Sequence, residues 1–321
     1  MRIRVEETPT WSIVLAGGDH PTMQPLIREW IGDDVPKQFC TFSGSRSMLQ
    51  HTYDRLGKLV PRAKTVTVFE RRHALHFRRA VRAIPGPSIA VPEGLGRGVE
   101  VFLAAMHVFQ HDPGATVIVC PADHAVHPEQ TFLRHVARAV RVAKHQPDRM
   151  IAVAAQPTAA ATDLSWIVPN HANGSDPDLS RFGLVEVGAY HRRPRARTAR
   201  RLYGNGGMWC TGVFVTPVQA LWHLGFRVVP DLMKRMETIR KLLFSVERNR
   251  MFAADLEQRA VSNILRGADP LELDELLSIC HESLLALPLE GVEWSDWGCP
   301  DRLAEGLRRI ASSREALAAS C

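Results

Sequence analysis

Residues 11–16, Trp-Ser-Ile-Val-Leu-Ala, form a short apolar run that empties directly into Gly17-Gly18-Asp19. A run of that length bounded by glycines reads as a buried strand. The paired glycines let a backbone approach a phosphate closely, because neither carries a Cβ. The polar stretch that follows ends in Val35-Pro36-Lys37-Gln38-Phe39-Cys40, and Lys37 there is a mobile cation suited to phosphate.

The same strand-then-helix alternation repeats along the first half. Ser47 to Leu59 carries Met48, Leu49, Tyr53 and Leu56 at helical spacing. Thr65 to Phe69 reads as a strand, residues 71–83 as a basic helix, Ser88 to Val91 as a strand and Val99 to Phe109 as a helix. Ala115 to Cys120, with Thr-Val-Ile-Val at its centre, is the clearest strand; Glu129 to Lys144 is an amphipathic helix and Met150 to Ala155 another strand. Such alternation predicts an α/β fold, a mostly parallel sheet with helices on both faces. Ligands in such sheets sit beyond the carboxyl ends of the strands, where Gly17-Gly18 and Asp123 both fall.

The second half changes character. Residues 170–180 are turn-formers and read as an exposed loop, Phe182 to Val187 and Trp209 to Thr216 as strands, and the segment around Trp222 as a helix. Helices are expected over 230–244, 251–265 and 271–280, a strand over 283–287, and an amphipathic helix from Arg302 onward.

The chain has 321 residues, 45% of them apolar, which suits a large single core. No apolar run approaches a membrane span, and residues 1–7 lack the apolar core of a secretory signal. The six scattered cysteines include no Cys-x-x-Cys pair, which argues against a zinc ribbon or disulfide framework and for a reduced, cytoplasmic protein. His73 and His76 lack further ligands at zinc spacing, and Gly94-x-Gly96-x-Gly98 lacks the spacing of a dinucleotide fingerprint. The net charge of +6 and pI near 9.2 suit polyanionic substrates. The basic run from His191 to Arg201 is not interleaved with aromatics, so it reads as a solvated or phosphate-handling loop rather than a nucleic-acid platform.

Asp123 follows the clearest strand in Pro121-Ala122-Asp123-His124. By itself it reads equally as a turn cap or as a hard-oxygen ligand for Mg²⁺. A second acidic motif, Glu293-Trp294-Ser295-Asp296-Trp297-Gly298-Cys299-Pro300-Asp301-Arg302-Leu303, lies near the far end.

Taken together, Leu15-Ala16-Gly17-Gly18, Pro36-Lys37-Gln38-Phe39 and the Trp294-Ser295-Asp296-Trp297-Gly298 segment resemble the sugar-phosphate nucleotidyltransferases, mannose-1-phosphate guanylyltransferases in particular. The resemblance implies a Rossmann-like nucleotidyltransferase fold, with residues 1–303 as one core and 304–321 as a C-terminal helical tail. About 1–160 would be the nucleotide-binding half and 161–303 the sugar-phosphate half. It implies transfer of a nucleoside monophosphate, GMP from GTP, to mannose 1-phosphate, with release of pyrophosphate, in nucleotide-sugar biosynthesis. Lys37, Asp123, Asp296 and Arg28 would be catalytic, with Mg²⁺ as cofactor between Asp123 and Asp296. Leu15, Ala16, Gly17, Gly18, Arg97 and Gly98 would bind the nucleotide. Trp166, Arg193, Gly207 and Thr211 would bind the sugar phosphate. The expected partners are a nucleoside triphosphate and a sugar 1-phosphate, with a homo-oligomer left open and neither nucleic acid nor membrane. The chain stops before the isomerase or β-helix domain of longer relatives, which implies the transferase unit alone.

The pattern also departs from the family. Its loop continues Gly-Thr-Arg-Leu, whereas this chain reads His20-Pro21-Thr22-Met23, so the loop arginine is absent and Arg28 is the expected substitute. The base-reading Arg-Gly-Thr-Ala run is Arg97-Gly98-Val99-Glu100, and Cys210 replaces a sugar-binding asparagine. These departures motivate an alternative: a catalytically impaired nucleotide-sugar-binding or regulatory homologue on the same fold.

Overall fold

The computed structural model describes residues 9–81, 86–170, 177–249 and 254–319. β1 (Thr10–Leu15) leads to α1 (Gln24–Ile31) and α2 (Met48–Leu56). β2 (Thr65–Glu70), α3 (Ala74–Ala80), β3 (Ser88–Val91), α4 (Arg97–His111) and β4 (Thr116–Pro121) follow. Next come β5 (Ala125–His127), α5 (Glu129–Ala143), β6 (Met150–Ala155), β7 (Trp166–Pro169), α6 (Pro177–Arg181) and β8 (Val185–His191). The order continues with α7 (Ala196–Gly204), β9 (Met208–Pro217), α8 (Val218–Val228) and α9 (Pro230–Asn249). It ends with α10 (Ala254–Leu265), α11 (Leu273–Ile279), β10 (Leu284–Pro288), β11 (Glu293–Ser295) and α12 (Pro300–Ala319).

Period-two alternation in the central strands feeds two cores. Ile13 and Leu15 of β1 and Val117 and Val119 of β4 face α4, α8 and α9 through Phe102, Met106, Leu221 and Met233. Val14 and Ile118 face the other way, onto Leu49 and Tyr53 of α2 and Phe132 and Val136 of α5. Both faces are covered, so these strands are apolar throughout, and each fully buried large side chain contributes ~1.5–3 kcal/mol. α2 begins where Ser47 and Gln50 close a reciprocal capping box, which satisfies two otherwise orphaned helix-start donors.

The expectation of a mostly parallel sheet holds for only one part. The order is β3-β2-β1-β4-β9-β6-β10-β8-β7, and the first four strands are mutually parallel, as are β6 and β10. The pairs β4–β9, β6–β9, β10–β8, β7–β8 and β7–β9 are antiparallel. The last of these closes β9, β6, β10, β8 and β7 into a five-stranded barrel. The physical cause lies in β9, a ten-residue strand that serves two neighbours on one side. Its start pairs with β7 (Trp209 opposite Trp166) and its end with β4 (Phe214 opposite Val119). Between them Gly212 takes φ +72°, a left-handed conformation open to glycine, and the β6 ladder shifts register alongside.

A separate two-stranded ladder pairs Ser295 of β11 with Ala125 of β5 and Trp294 with Val126. It brings the Asp296 segment beside the Asp123-His124 turn.

Other differences are local. The basic run read as a loop is helical from Ala196 to Gly204. The helix expected over 71–83 is a 3₁₀ turn followed by α3, with residues 82 and 83 outside the described residues. The reading of residues 1–7 lies outside them, as do most of the expected 170–180 loop and the first three residues of the 251–265 helix.

Candidate active site

A cavity of about 600 Å³ opens where β4 and β7 part on β9, and Cys210, Thr211 and Gly212 form its floor. Gly18, His20, Thr22, Arg97, Glu100 and Asp123 line one end; Asp163, Tyr190, Arg193, Asp274, Asp296 and Arg302 line the other.

Lys37 lies behind this wall and meets Asp123 on it, both almost wholly buried. Lys37 Nζ donates to Asp123 Oδ2 at 2.9 Å and also to the backbone carbonyl of Asp296. Three segments distant in sequence are thereby joined through one ammonium. The neighbouring Gln38 is buried too, and its amide donates to the carbonyls of Ala16 at 2.7 Å and Gly18 at 3.3 Å. The Pro36–Phe39 turn is thus bolted to the glycine loop.

Asp123 also receives His20 Nε2 at 2.9 Å and Arg97 Nη2 at 3.7 Å on the same Oδ2. Its Oδ1 is buried without a hydrogen-bond partner. Burial acts to raise this carboxyl, but Lys37, Arg97 and His20 outweigh it and hold the group ionised well below its usual range. Burial lowers His20, against the pull of Asp123, and it pushes His124 down to about 4.

Arg97 stands at the start of α4 and donates to the Gly17 carbonyl at 3.2 Å, with the same Nη2 3.1 Å from His20 Nε2. A guanidinium therefore reaches the glycine loop from α4, although Thr22 has replaced the loop arginine. Glu100, one turn along α4, is buried beside Gly17, and a Cβ on Gly17 would come within 1.8 Å of its Oε1. Burial raises the Glu100 carboxyl to about 8, aided by Glu70 and Glu272 and opposed by Arg97 and a backbone hydrogen bond from Gly17.

Asp296 is held differently. Arg302 Nε donates to its Oδ1 at 2.8 Å and the Gly298 amide to the same oxygen at 3.0 Å. Arg302 also grips Asp163 through two bonds, of 3.0 and 2.7 Å. Among the described residues no group of three or more His, Cys, Asp or Glu side chains forms a metal cluster.

The remaining expected residues are divided. Arg193 lines the cavity with its Nε 3.5 Å from Asp274, and Thr211 lines it while its hydroxyl donates to the Val153 carbonyl. Arg28 does not join them; it is exposed on α1 and paired with Asp34, because that helix turns its basic face to solvent. Trp166 is wholly buried, its indole donating to the Ala161 carbonyl at 2.9 Å. Gly98 and Gly207 serve packing: a Cβ would collide with Leu271 at the first and crowd the Leu202 carbonyl at the second. Leu15 and Ala16 are core residues at the strand end. Sequence reasoning did not single out His20, Glu100, Asp163 or Asp274. For Arg302 a signal existed, since it sits six residues beyond Asp296 in the same motif.

No family model matches the chain. It is 24% identical over 246 residues to a mannose-1-phosphate guanylyltransferase of Escherichia coli, covering 75% of this chain and 51% of that one. It is 28% identical over 207 residues to the corresponding protein of Salmonella muenchen, covering 61% and 41%. The chain thus spans about half the length of the curated relatives it matches. Among solved structures, it superposes on the protein named mannose-1-phosphate geranyltransferase from Thermus thermophilus with a TM-score of 0.73 at 21% identity. That match covers 91% of this chain and 77% of the other. It also superposes on a UDP-glucose pyrophosphorylase complexed with UDP-glucose, with a TM-score of 0.56 at 10% identity over 96% and 100% of the two chains. In sequence and in fold the chain is similar to the sugar-phosphate nucleotidyltransferases, and among them it is mannose-1-phosphate guanylyltransferase-like.

Proposed function

We propose that the cavity binds a nucleoside triphosphate against the Gly17-Gly18 loop and a sugar 1-phosphate toward Arg193, and joins them. GTP and mannose 1-phosphate are the proposed pair. A phosphate oxygen of the sugar attacks the α-phosphorus, a new P–O bond forms, and the α–β bridging bond breaks with its electrons leaving on pyrophosphate. The step needs positioning and charge neutralisation rather than a covalent enzyme intermediate.

The observation that carries the reading is the joining of three distant segments at the cavity: Asp123 and Asp296 line it, and Lys37 behind them donates to the Asp123 carboxylate and to the Asp296 backbone carbonyl. Arg97 would take the part of the absent loop arginine at the triphosphate, and Arg193 and Arg302 would supply positive charge at the sugar-phosphate end. The residues present fit Mg²⁺ in one respect: Asp123 is held ionised with Oδ1 buried and unpartnered, a hard-oxygen ligand in waiting. Asp123 and Asp296 would hold the ion, Asp296 keeping lone pairs beyond those that Arg302 and Gly298 engage. When bound, Mg²⁺ screens the repulsion between two anionic reactants.

The test is pyrophosphate release across a panel of triphosphates and sugar 1-phosphates, with and without Mg²⁺. Turnover on one pair, lost in Asp123→Asn and Asp296→Asn, supports the transferase. The second reading, a binding or regulatory homologue, draws on Arg302 already donating to both carboxylate oxygens of Asp296. Nucleotide binding without turnover on any pair would favour it.

A further inference from the structure

β2 ends at Glu70, whose side chain lines the cavity on the glycine-loop side. Arg72 Nε donates to Glu70 Oε2 at 2.7 Å, and Arg72 Nη2 stands 2.8 Å from Asp19 Oδ2. The guanidinium is thus held between the strand end and the glycine loop. Glu70 Oε1 has no hydrogen-bond partner among the described residues. It is not one of the atoms sealed from solvent: the side chain keeps 8% of its surface, and this oxygen shares in it.

Strand register decides what that oxygen can meet. Leu15 pairs with Pro121 of β4 on one side and with Val68 of β2 on the other. The ladder runs on through the Ala122 and Ala16 amides, so Asp123, Gly17 and Glu70 stand level beyond three adjacent strands. At about 4.8 Å per strand, Glu70 is roughly 10 Å from Asp123. For a nucleotide whose α-phosphorus lies beside Asp123 and Asp296, that span passes the ribose and reaches the base. The turn after β3, whose Val91 pairs with Glu70, adds Gly94 and Gly96 to the same wall. A Cβ on Gly94 would meet nothing within 4 Å, which leaves room for a flat ring.

We propose that Glu70 selects guanine by accepting from its N1–H and 2-amino groups, a role that rests on the nucleotide placement proposed above. A carboxylate only accepts, so it needs an edge made of donors. Guanine offers two N–H groups side by side, one for each carboxylate oxygen, and Oε2 keeps a lone pair beyond the one that Arg72 engages. Adenine and cytosine each set a single amino group beside a bare ring nitrogen. Uracil flanks its one N–H with two carbonyls, which a carboxylate repels. Arg72 never touches the base; it is a positioning residue that fixes the carboxylate from behind.

GTP, ITP, UTP and XTP are the probes, titrated calorimetrically with Mg²⁺ into the intact chain and into Glu70→Gln. ITP lacks the 2-amino group, and the parent should bind it about tenfold more weakly than GTP, as loss of one charge-assisted bond does. UTP should bind more weakly still. XTP carries a carbonyl where GTP has that amino group, so an amide at this position gains a partner that the carboxylate repels. Glu70→Gln should therefore weaken GTP about tenfold and tighten XTP by a similar factor, a reversal that lost packing alone does not produce. Circular dichroism checks the fold, and the parent's preference for GTP over ITP and UTP carries the test if the variant does not fold. Equal affinity of the parent for GTP and ITP, or weaker GTP in the variant with no gain for XTP, would overturn the role of Glu70 and leave the transferase standing. Failure of every triphosphate to bind would overturn it together with the nucleotide placement.

Discussion

Lys37 Nζ stands 2.9 Å from Asp123 Oδ2 across 86 residues of sequence, and both side chains are almost completely removed from water. The same ammonium reaches the carbonyl of Asp296, 259 residues away. Fold and site therefore share one interaction.

Breaking that pair from either side should destabilise strongly. Lys37→Met leaves a buried carboxylate short of one cation, and Asp123→Asn leaves a buried ammonium; each should cost about 3–5 kcal/mol in urea unfolding. The double variant removes both charges, so its cost should fall below the sum of the singles by more than ~1 kcal/mol. Simple additivity would show that the two groups are not coupled.

Glu100 gives a pH signature. Its folded value of about 8 lies above the ordinary carboxyl value of 4.5, so the native state holds its proton over an interval in which the unfolded chain has lost it. Stability from this group therefore falls as pH rises from about 4.5 to about 8. Glu100→Gln lacks that slope. Its melting temperature relative to the parent should climb by several degrees between pH 5 and pH 8, within a ceiling of roughly 5 kcal/mol. A constant difference across the range would refute this.

Gly17 is constrained by the same carboxyl. Gly17→Ala sets a Cβ 1.8 Å from the present position of Glu100 Oε1, so the buried side chain must move. We expect a loss of about 1–3 kcal/mol, largely relieved in the Glu100→Ala background. Equal losses in both backgrounds would locate the constraint in the backbone instead.

Arg97 and Arg28 should separate cleanly in nucleotide binding measured by calorimetry. Arg97→Gln removes a guanidinium that borders Gly18 and Asp123, and should weaken GTP at least about tenfold, as loss of a charge-assisted bond does. Arg28→Gln alters an exposed pair with Asp34 and should change affinity less than about twofold. The reverse order would return the loop cation to α1.

Much of this was legible because the informative residues sit at strand ends. Gly17-Gly18 and Asp123 follow β1 and β4, whose β-branched apolar runs leave little doubt about their state, and both border the cavity. The barrel was not legible. Its closure depends on Gly212 bending β9 so that one strand serves both β7 and β4, and a single glycine in an apolar run does not announce that. Nor were β5 and β11, three residues each, although their ladder sets Asp296 beside Asp123. Glu100 was seen only as a departure from the family's run; its burial against Gly17 depends on where α4 lies over β1. The expectation for Arg28 rested on motif order alone, and helix phase decided its direction.

The β7–β9 pairing has a consequence for how copies of this protein meet in concentrated solution. An open sheet offers two rows of unsatisfied backbone groups, each a template for runaway strand addition. Curling the far strands back onto β9 leaves β3 as the sheet's single outer margin among the described residues, four residues long. Edge-to-edge polymerisation needs two such margins per molecule, so this architecture lets a misdirected contact end at a pair.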